Sequence, residues 1–151
     1  MDPSKKDLYT AKRPSGLDKT DVAIQIAIES LRSDSDPVNW LQLKVNGTTL
    51  VPHASGTGGL SEFISSLNED DVYYGALRCS VDGKTRFYHV YFVGQAVGAM
   101  KKGKASMYKS AVFSLIDAHG EVSCANGLEE FTEDYVRVNI TKMAGSADIL
   151  I

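Results

Sequence analysis

Two consecutive apolar segments constrain the fold of this chain more than any other feature. Residues 72–81 and 84–93 are rich in aromatic and β-branched side chains, and Asp82-Gly83 lies between them. Such a dipeptide is typical of the two-residue turn of a β-hairpin, so the segments are predicted to pair as antiparallel strands. Their apolar side chains form nearly continuous runs, which indicates strands that are covered on both faces.

A helix and a shorter hairpin are predicted before these strands. The helix is expected to begin at Asp18, as its N-cap, and to end at the turn-forming cluster of residues 33–37. Its core stripe, at the i, i+3, i+4, i+7 spacing, is predicted to be Ile24, Ala27, Ile28 and Leu31. Residues 41–45 then alternate between apolar and polar, and Asn46-Gly47 is predicted to supply both positive-φ positions of a type I′ turn.

The remaining elements complete a mixed sheet with its covering helices. A short helix is predicted around residues 60–67. A loop is predicted from Gly94 to Gly103, a helix from about Lys104 to Ala118, a strand at Glu121–Cys124 and a helix from about Leu128 to Thr141. This order predicts an α/β (α+β) fold, a three-layer sandwich in which helices cover both faces of a mixed sheet of five or six strands.

One domain is expected, because 151 residues can bury a core without disulfides or metal ions. Residues 1–16 are polar and include two prolines, so they are predicted to be a flexible N-terminal arm. The domain itself is predicted to span residues 17–145. Residues 146–151 are predicted to form a C-terminal tail, whose apolar end is expected to fray, with a peptide-type docking end as the alternative.

Composition limits the cellular setting and the class of partner. With 16 Lys+Arg against 19 Asp+Glu, the chain lacks the strong basicity of a general nucleic-acid binder, so no nucleic acid is expected as a partner. Cys79 and Cys124 have no spacing suited to a metal site, and two unpaired cysteines predict a reducing compartment, most simply the cytoplasm. No apolar run approaches the roughly 20 residues that span a bilayer, and no signal peptide is recognised.

The cations of this acidic chain are concentrated in one segment. Between Gly83 and Ile116 there is no acidic residue, and the rest of the chain holds only ten cations against nineteen acidic residues. The segment contains Lys84, Arg86, Lys101, Lys102, Lys104 and Lys109. This separation predicts that the helix and the hairpin tip form a single docking surface for an anionic partner, with a solvated basic face as the alternative.

A nucleotide-binding enzyme is the sharpest catalytic alternative. Gly98–Lys104 fits the GxxxxGK pattern of a phosphate-binding loop, but Ala105 then brings no hydroxyl group to a magnesium ion. His53, His89 and His119 have no acidic or cysteine neighbour at the spacing of metal ligands in the sequence. They are therefore expected to be structural. No catalytic residue, no metal site and no cofactor is therefore expected.

Several stretches together resemble the ADF/cofilin homology domain, and within it the coactosin-like branch. They are Trp40–Lys44, Thr49–Pro52, Arg86–Gly94 and Glu129–Tyr135. The resemblance covers roughly residues 17–145. It implies the same mixed sheet between helix pairs and an actin-binding function, with filaments as the preferred partner in the coactosin branch.

The resemblance also implies which residues contact actin. Lys102 and Lys109 match cations on the long helix after the fourth strand, Arg86 matches a basic residue at the start of that strand, and Lys142 matches a lysine near the end of the last helix. Lys102 and Lys109 are expected to be the principal contacts, and the charge pattern and the helix add Lys84, Lys101, Lys104 and Met107. Phe113 is expected as an apolar contact that is partly exposed beside Lys109, with burial under the last helix as the alternative.

Departures from the family pattern qualify the expected activity. Phe113 stands where cofilins carry a basic residue, so filament binding without strong severing or depolymerising activity is expected. Binding of monomeric actin is expected to be weak at most, and the protein is expected to act as a monomer in the cytoplasm and cytoskeleton. The alternative is a module that binds anionic phosphoinositides at a membrane through the same basic surface.

Overall fold

The computed structural model describes residues 16–151, so the predicted arm lies, apart from Gly16, outside the described residues. The described part contains four helices and six strands. They are α1 (Val22–Arg32), β1 (Trp40–Asn46), β2 (Thr49–Gly56), α2 (Gly59–Ser65), β3 (Val72–Val81), β4 (Lys84–Val93), α3 (Ala99–Phe113), β5 (Glu121–Cys124), α4 (Glu133–Ala144) and β6 (Ile149–Leu150).

The strands form one mixed sheet in the order β2-β1-β3-β4-β5, and β6 pairs with β3. Among the six described strands, only β5 is parallel to its neighbour, β4. The central hairpin is paired along its whole length, from Val72 opposite Val93 to Val81 opposite Lys84. The predicted three-layer fold with a six-stranded mixed sheet is confirmed.

The long apolar runs of the central hairpin are explained by cover on both faces. Tyr74 belongs to the core under α1 and α3, whereas its neighbour Tyr73 belongs to the core under α2 and α4. Since successive side chains of a strand point to opposite faces, each face needs its own apolar set. The helices supply the matching stripes: Ile24, Ile28 and Leu31 of α1, Tyr108 and Val112 of α3, Leu60 and Phe63 of α2, and Val136 and Ile140 of α4.

The two hairpin turns differ from each other. Asp82 and Gly83 both have positive φ, at 51° and 77°, as a type I′ turn requires. In the first hairpin the ladder extends to the pair Asn46 and Thr49, so the central residues are Gly47 and Thr48. Only Gly47 has positive φ there, at 66°, which is the arrangement of a type II′ turn. The predicted placement of Asn46-Gly47 is therefore wrong by one residue.

The helix starts also differ from the prediction. The N-cap of α1 is Asp21, whose carboxylate accepts from the amide of Ala23, and not Asp18. Asp18 instead joins its backbone to the β1–β2 hairpin, because its amide donates to the carbonyl oxygen of Thr48. Helix α4 begins about five residues later than expected, since Thr132 is its N-cap and accepts from the amide of Tyr135.

The segment expected to fray is part of the sheet. Ile149 and Leu150 pair with Val81 and Ser80 of β3, and the side chain of Ile149 is buried. A guanidinium nitrogen of Arg137 donates to the carbonyl oxygen of Ile149 at 3.0 Å. Paired backbone groups and a buried apolar side chain hold this segment in place, so the expectation of a frayed end is wrong for β6.

Candidate functional site

Helix α3 begins at Ala99, about five residues earlier than predicted. Consequently Lys101, Lys102 and Lys104 lie within its first two turns and not in a loop. The amide of Lys102 donates to the carbonyl oxygen of Gly98, as in any α-helix. A phosphate-binding loop wraps the ligand with successive amides of a glycine-rich loop before the helix, and here the helix already begins at Ala99. The nucleotide-binding alternative therefore has no structural basis in Gly98–Lys104.

The outward side of α3 combines unpaired cations with exposed methionines. Lys102 and Lys104 are exposed, and among residues 16–151 neither has an acidic partner within ion-pair distance. Met100 is 80% exposed and Met107 is 55% exposed. The helix is held from below by Tyr108, which is buried, and by the Tyr74 hydroxyl, which donates to the carbonyl oxygen of Ala105 at 2.6 Å.

The other two lysines of α3 are paired with acids from neighbouring strands and loops. Lys101 Nζ lies 2.9 Å from Asp71 Oδ1, and Lys44 Nζ lies 2.6 Å from Asp71 Oδ2. Burial alone would raise the pKa of Asp71, but the hydrogen bonds from Lys44 and Lys101 hold that pKa below its ordinary value. Lys109 Nζ lies 2.5 Å from Glu121 Oε2. Residues 84–116 contain no acidic residue, but in the folded protein two acids from elsewhere in the chain, Asp71 and Glu121, pair with their lysines.

Phe113 is buried, with only 8% of its surface exposed. Its ring stacks on His89 at a centroid distance of 4.2 Å and meets the edge of Tyr74 at 6.0 Å. The expectation of a partly exposed contact is wrong, and so is the alternative of burial under the last helix. Phe113 packs between α3 and the central strands because it ends the inward stripe of α3.

The hairpin tip places its cations on the opposite face of the sheet from α3. Arg86 is paired in register with Cys79, which belongs to the core under α4. Burial raises the pKa of the Cys79 thiol to about 11, and the Arg86 charge offsets part of that rise, which places Arg86 on the same face. A cavity of about 410 Å³ lies between the tip and the end of α4 and is lined in part by Lys84, Arg86 and Met143.

Two basic surfaces result instead of the predicted single one. The helix surface consists of Met100, Lys101, Lys102, Lys104, Met107 and Lys109 on α3. The hairpin surface consists of Lys84 and Arg86 at the tip, and we group with it the exposed Lys142 in the last turn of α4, because its neighbour Met143 lines the same cavity. The sheet separates them because odd and even residues of β4 face different helices. The expectation of one continuous surface is wrong.

A groove of about 710 Å³ adjoins the helix surface. It lies between the first turns of α3 and the β1–β2 turn, with Tyr74 and Tyr108 among its walls and Met100 and Lys104 at its rim. Met100 was not singled out by the sequence reasoning. It stands seven residues before Met107, so an earlier helix start would have placed both on one side of α3.

Comparison with known proteins defines the class. The family model described as cofilin/tropomyosin-type actin-binding protein matches residues 16–141. This match spans most of the chain, so the chain belongs to that family, and the predicted resemblance to the ADF/cofilin homology domain is confirmed. It is a non-enzymatic actin-binding protein.

Individual relatives agree with this assignment. The coactosin of Entamoeba histolytica is 30% identical over 141 residues, which are 89% of this chain and 94% of that protein. The coactosin-like protein of Bos taurus is 22% identical over 128 residues, 82% of this chain and 89% of that protein. The crystal structure of human coactosin-like protein has a TM-score of 0.74 at 21% identity and covers 83% of this chain and 98% of that one.

Proposed function

We propose that this protein binds actin filaments, using the helix surface as its principal contact and the hairpin surface as a second contact. The observation that carries the proposal is the outward side of α3, where Met100 and Met107 are exposed and Lys102 and Lys104 have no acidic partner among residues 16–151. Cations steer an anionic partner, and a few desolvated apolar contacts provide most of the affinity.

Two separated surfaces favour a polymer over a single partner molecule. A filament presents neighbouring subunits, so one subunit can take the helix surface while another takes the hairpin surface. The second contact then occurs at a high effective concentration, and avidity exceeds the affinity of either surface alone. Monomeric actin offers only one subunit and is accordingly bound weakly. The protein acts in this way as a monomer, in the cytoplasm and on the cytoskeleton.

Filament binding without strong severing or depolymerisation is the proposed outcome. Phe113 stands where cofilins carry a basic residue, and it adds neither charge nor exposed area to the helix surface because it is buried. The proposed lack of strong severing and depolymerising activity is tested separately from binding, by measuring filament length and the rate of disassembly in the presence of saturating protein.

Co-sedimentation with actin filaments at low and high salt tests the binding proposal. The variant Lys102→Glu/Lys104→Glu is expected to lose more than about tenfold in affinity, because it reverses the two unpaired cations of the helix surface. The matched variant Lys84→Glu/Lys142→Glu has the same net charge change on the hairpin surface, and a loss of about threefold is expected.

Three results would contradict the proposal. Wild-type protein that does not pellet with filaments would refute it outright. Equal losses in the two variants would refute the ranking of the surfaces. Protein that floats with phosphoinositide-containing vesicles but ignores filaments would replace the proposal with the membrane alternative.

A further inference from the structure

Lys109 is held by an acid that belongs to another element of the fold. Glu121 is the first residue of β5 and is paired in register with His89 of β4. This register brings the Glu121 carboxylate beside the second half of α3, where Oε2 lies 2.5 Å from Lys109 Nζ. The Lys109 ammonium group also lies over the ring of Tyr91, at 5.1 Å from its centroid.

The Glu121 carboxylate is placed by further contacts. The hydroxyl of Ser123 donates to the same oxygen, Oε2, that contacts Lys109. Burial raises the pKa of the Tyr91 hydroxyl, and the nearby charge of Glu121 adds to that rise. Glu121 therefore contacts both Ser123 and Lys109, and the ion pair draws the Lys109 ammonium group toward the sheet.

We infer that Glu121 is an intramolecular competitor that holds Lys109 back from an acidic group on actin. This inference rests on the proposed function, since it concerns the same helix surface. A lysine that is already neutralised must leave its acid, or share it, before it pairs with a partner. The side chains of Lys109 and Glu121 remain 33% and 30% exposed, so water screens the pair and the competition adjusts affinity without blocking binding.

Lys101 and Asp71 provide an internal comparison. Asp71 contacts two lysines at once, so its removal would free Lys44 as well as Lys101. Glu121 has a single lysine partner among residues 16–151, which makes it the better position for a test. Lys102 and Lys104, which have no such competitor in the described part, are ready to bind in the free protein.

The test replaces the acid and retains its shape. Glu121→Gln is expected to bind filaments about two- to fivefold more tightly than wild type and with a steeper salt dependence. Glu129→Gln, at an exposed acidic position outside the helix surface, has the same net charge change and is expected to leave affinity unchanged. Thermal unfolding of both variants checks that the fold is intact.

A double-mutant cycle separates competition from simple repulsion. If Glu121 acts through Lys109, the gain from Glu121→Gln disappears in a Lys109→Ala background. A gain that persists in that background means that Glu121 repels the partner directly, and the inference is then wrong.

A readout without actin completes the experiment. Limited acetylation followed by peptide mass spectrometry is expected to modify Lys109 faster in Glu121→Gln than in wild type or in Glu129→Gln. Wild-type protein that pellets with filaments while Glu121→Gln shows no gain would overturn this inference alone. Failure of the wild-type protein to pellet would instead overturn the proposed function, whatever the acetylation result.

Discussion

The helix surface and the hairpin surface present similar charges on different supports. Helix α3 is a 15-residue element held against the sheet by buried Tyr108 and Val112. The hairpin tip projects beyond this core and is held by the end of the chain: the Ser146 hydroxyl donates to the Asp82 carboxylate at 2.7 Å, and the amide of Asp82 donates to the carbonyl oxygen of Asp148 at 2.9 Å.

Because their supports differ, the two surfaces are expected to contribute differently to actin binding. A rigid helix with exposed methionines can supply desolvated contacts, which usually dominate binding energy. A hairpin tip whose cations lie at the protein edge supplies mainly steering and orientation. The two surfaces are therefore expected to respond differently to the same kind of substitution.

The largest effect is expected from removing the support of the helix surface. Tyr108→Ala deletes a buried aromatic ring between α3 and the sheet and should cost about 3–5 kcal/mol of unfolding free energy. Urea unfolding measures the loss. Filament binding should fall with it under conditions in which the hairpin remains protected from hydrogen exchange. A cost below about 1 kcal/mol would mean that α3 does not depend on this ring.

Truncating one exposed methionine in the helix surface and another beside the hairpin surface compares the two surfaces directly. Met107→Ala should reduce filament affinity about tenfold because it removes an apolar contact at the centre of the helix surface. Met143→Ala, beside the hairpin surface, should reduce it about twofold. Co-sedimentation measures both, and unchanged melting temperatures serve as the control. The reverse ranking would make the hairpin surface the principal contact.

A smaller effect is expected from breaking the link between the hairpin tip and the end of the chain. Ser146→Ala removes the hydrogen bond to Asp82 and the one that the Ser146 hydroxyl accepts from the amide of Asp148, and should cost about 1 kcal/mol in total because both bonds are exposed to water. Hydrogen exchange should accelerate at residues 82–86 and stay unchanged in α3, and Ser146→Thr should restore protection. Uniform acceleration over both regions would show that the tip is not held locally.

The smallest effect is expected from pH. Burial lowers the pKa of His89, and its ring meets the carbonyl oxygen of Ile116 and stacks on Phe113 beneath the end of α3. The folded state therefore disfavours protonated His89, so its contribution is complete above about pH 6.5 and declines as the pH falls below that value. Chemical unfolding between pH 7.5 and 5 should show this decline, and His89→Gln should flatten it. An identical slope in the variant would assign the decline to other groups.

Most of the fold was predictable because its signals are local. The Asp82-Gly83 turn, the apolar runs around it and the stripe of α1 each depend on residues within one element. The errors concern the boundaries of elements and the end of the chain, where β6 pairs with β3 instead of fraying. The start of α3 was placed late because Gly98 and Gly103 resemble a loop, although a single glycine inside a helix costs only about 1 kcal/mol, which packing of Tyr108 and Val112 can offset.

The candidate site was only partly predictable. Charge and resemblance indicated the lysines of α3, but no local signal shows that Phe113 would be buried by His89 and Tyr74. Arg86 and α3 lie on different faces of the sheet because successive side chains of β4 point to opposite faces. This alternation predicts the separation only when it is known which helix covers each face.

Amino-acid order alone determined strands β1 to β5, the Asp82-Gly83 turn and the concentration of cations in residues 84–109, since each is a property of neighbouring residues. The tertiary structure decided which cations are available. Asp71 reaches Lys101 across 30 positions, and Glu121 reaches Lys109 because β5 returns beside β4. Ion pairs form by distance in space, so the charge that a partner meets is set only after the chain has folded.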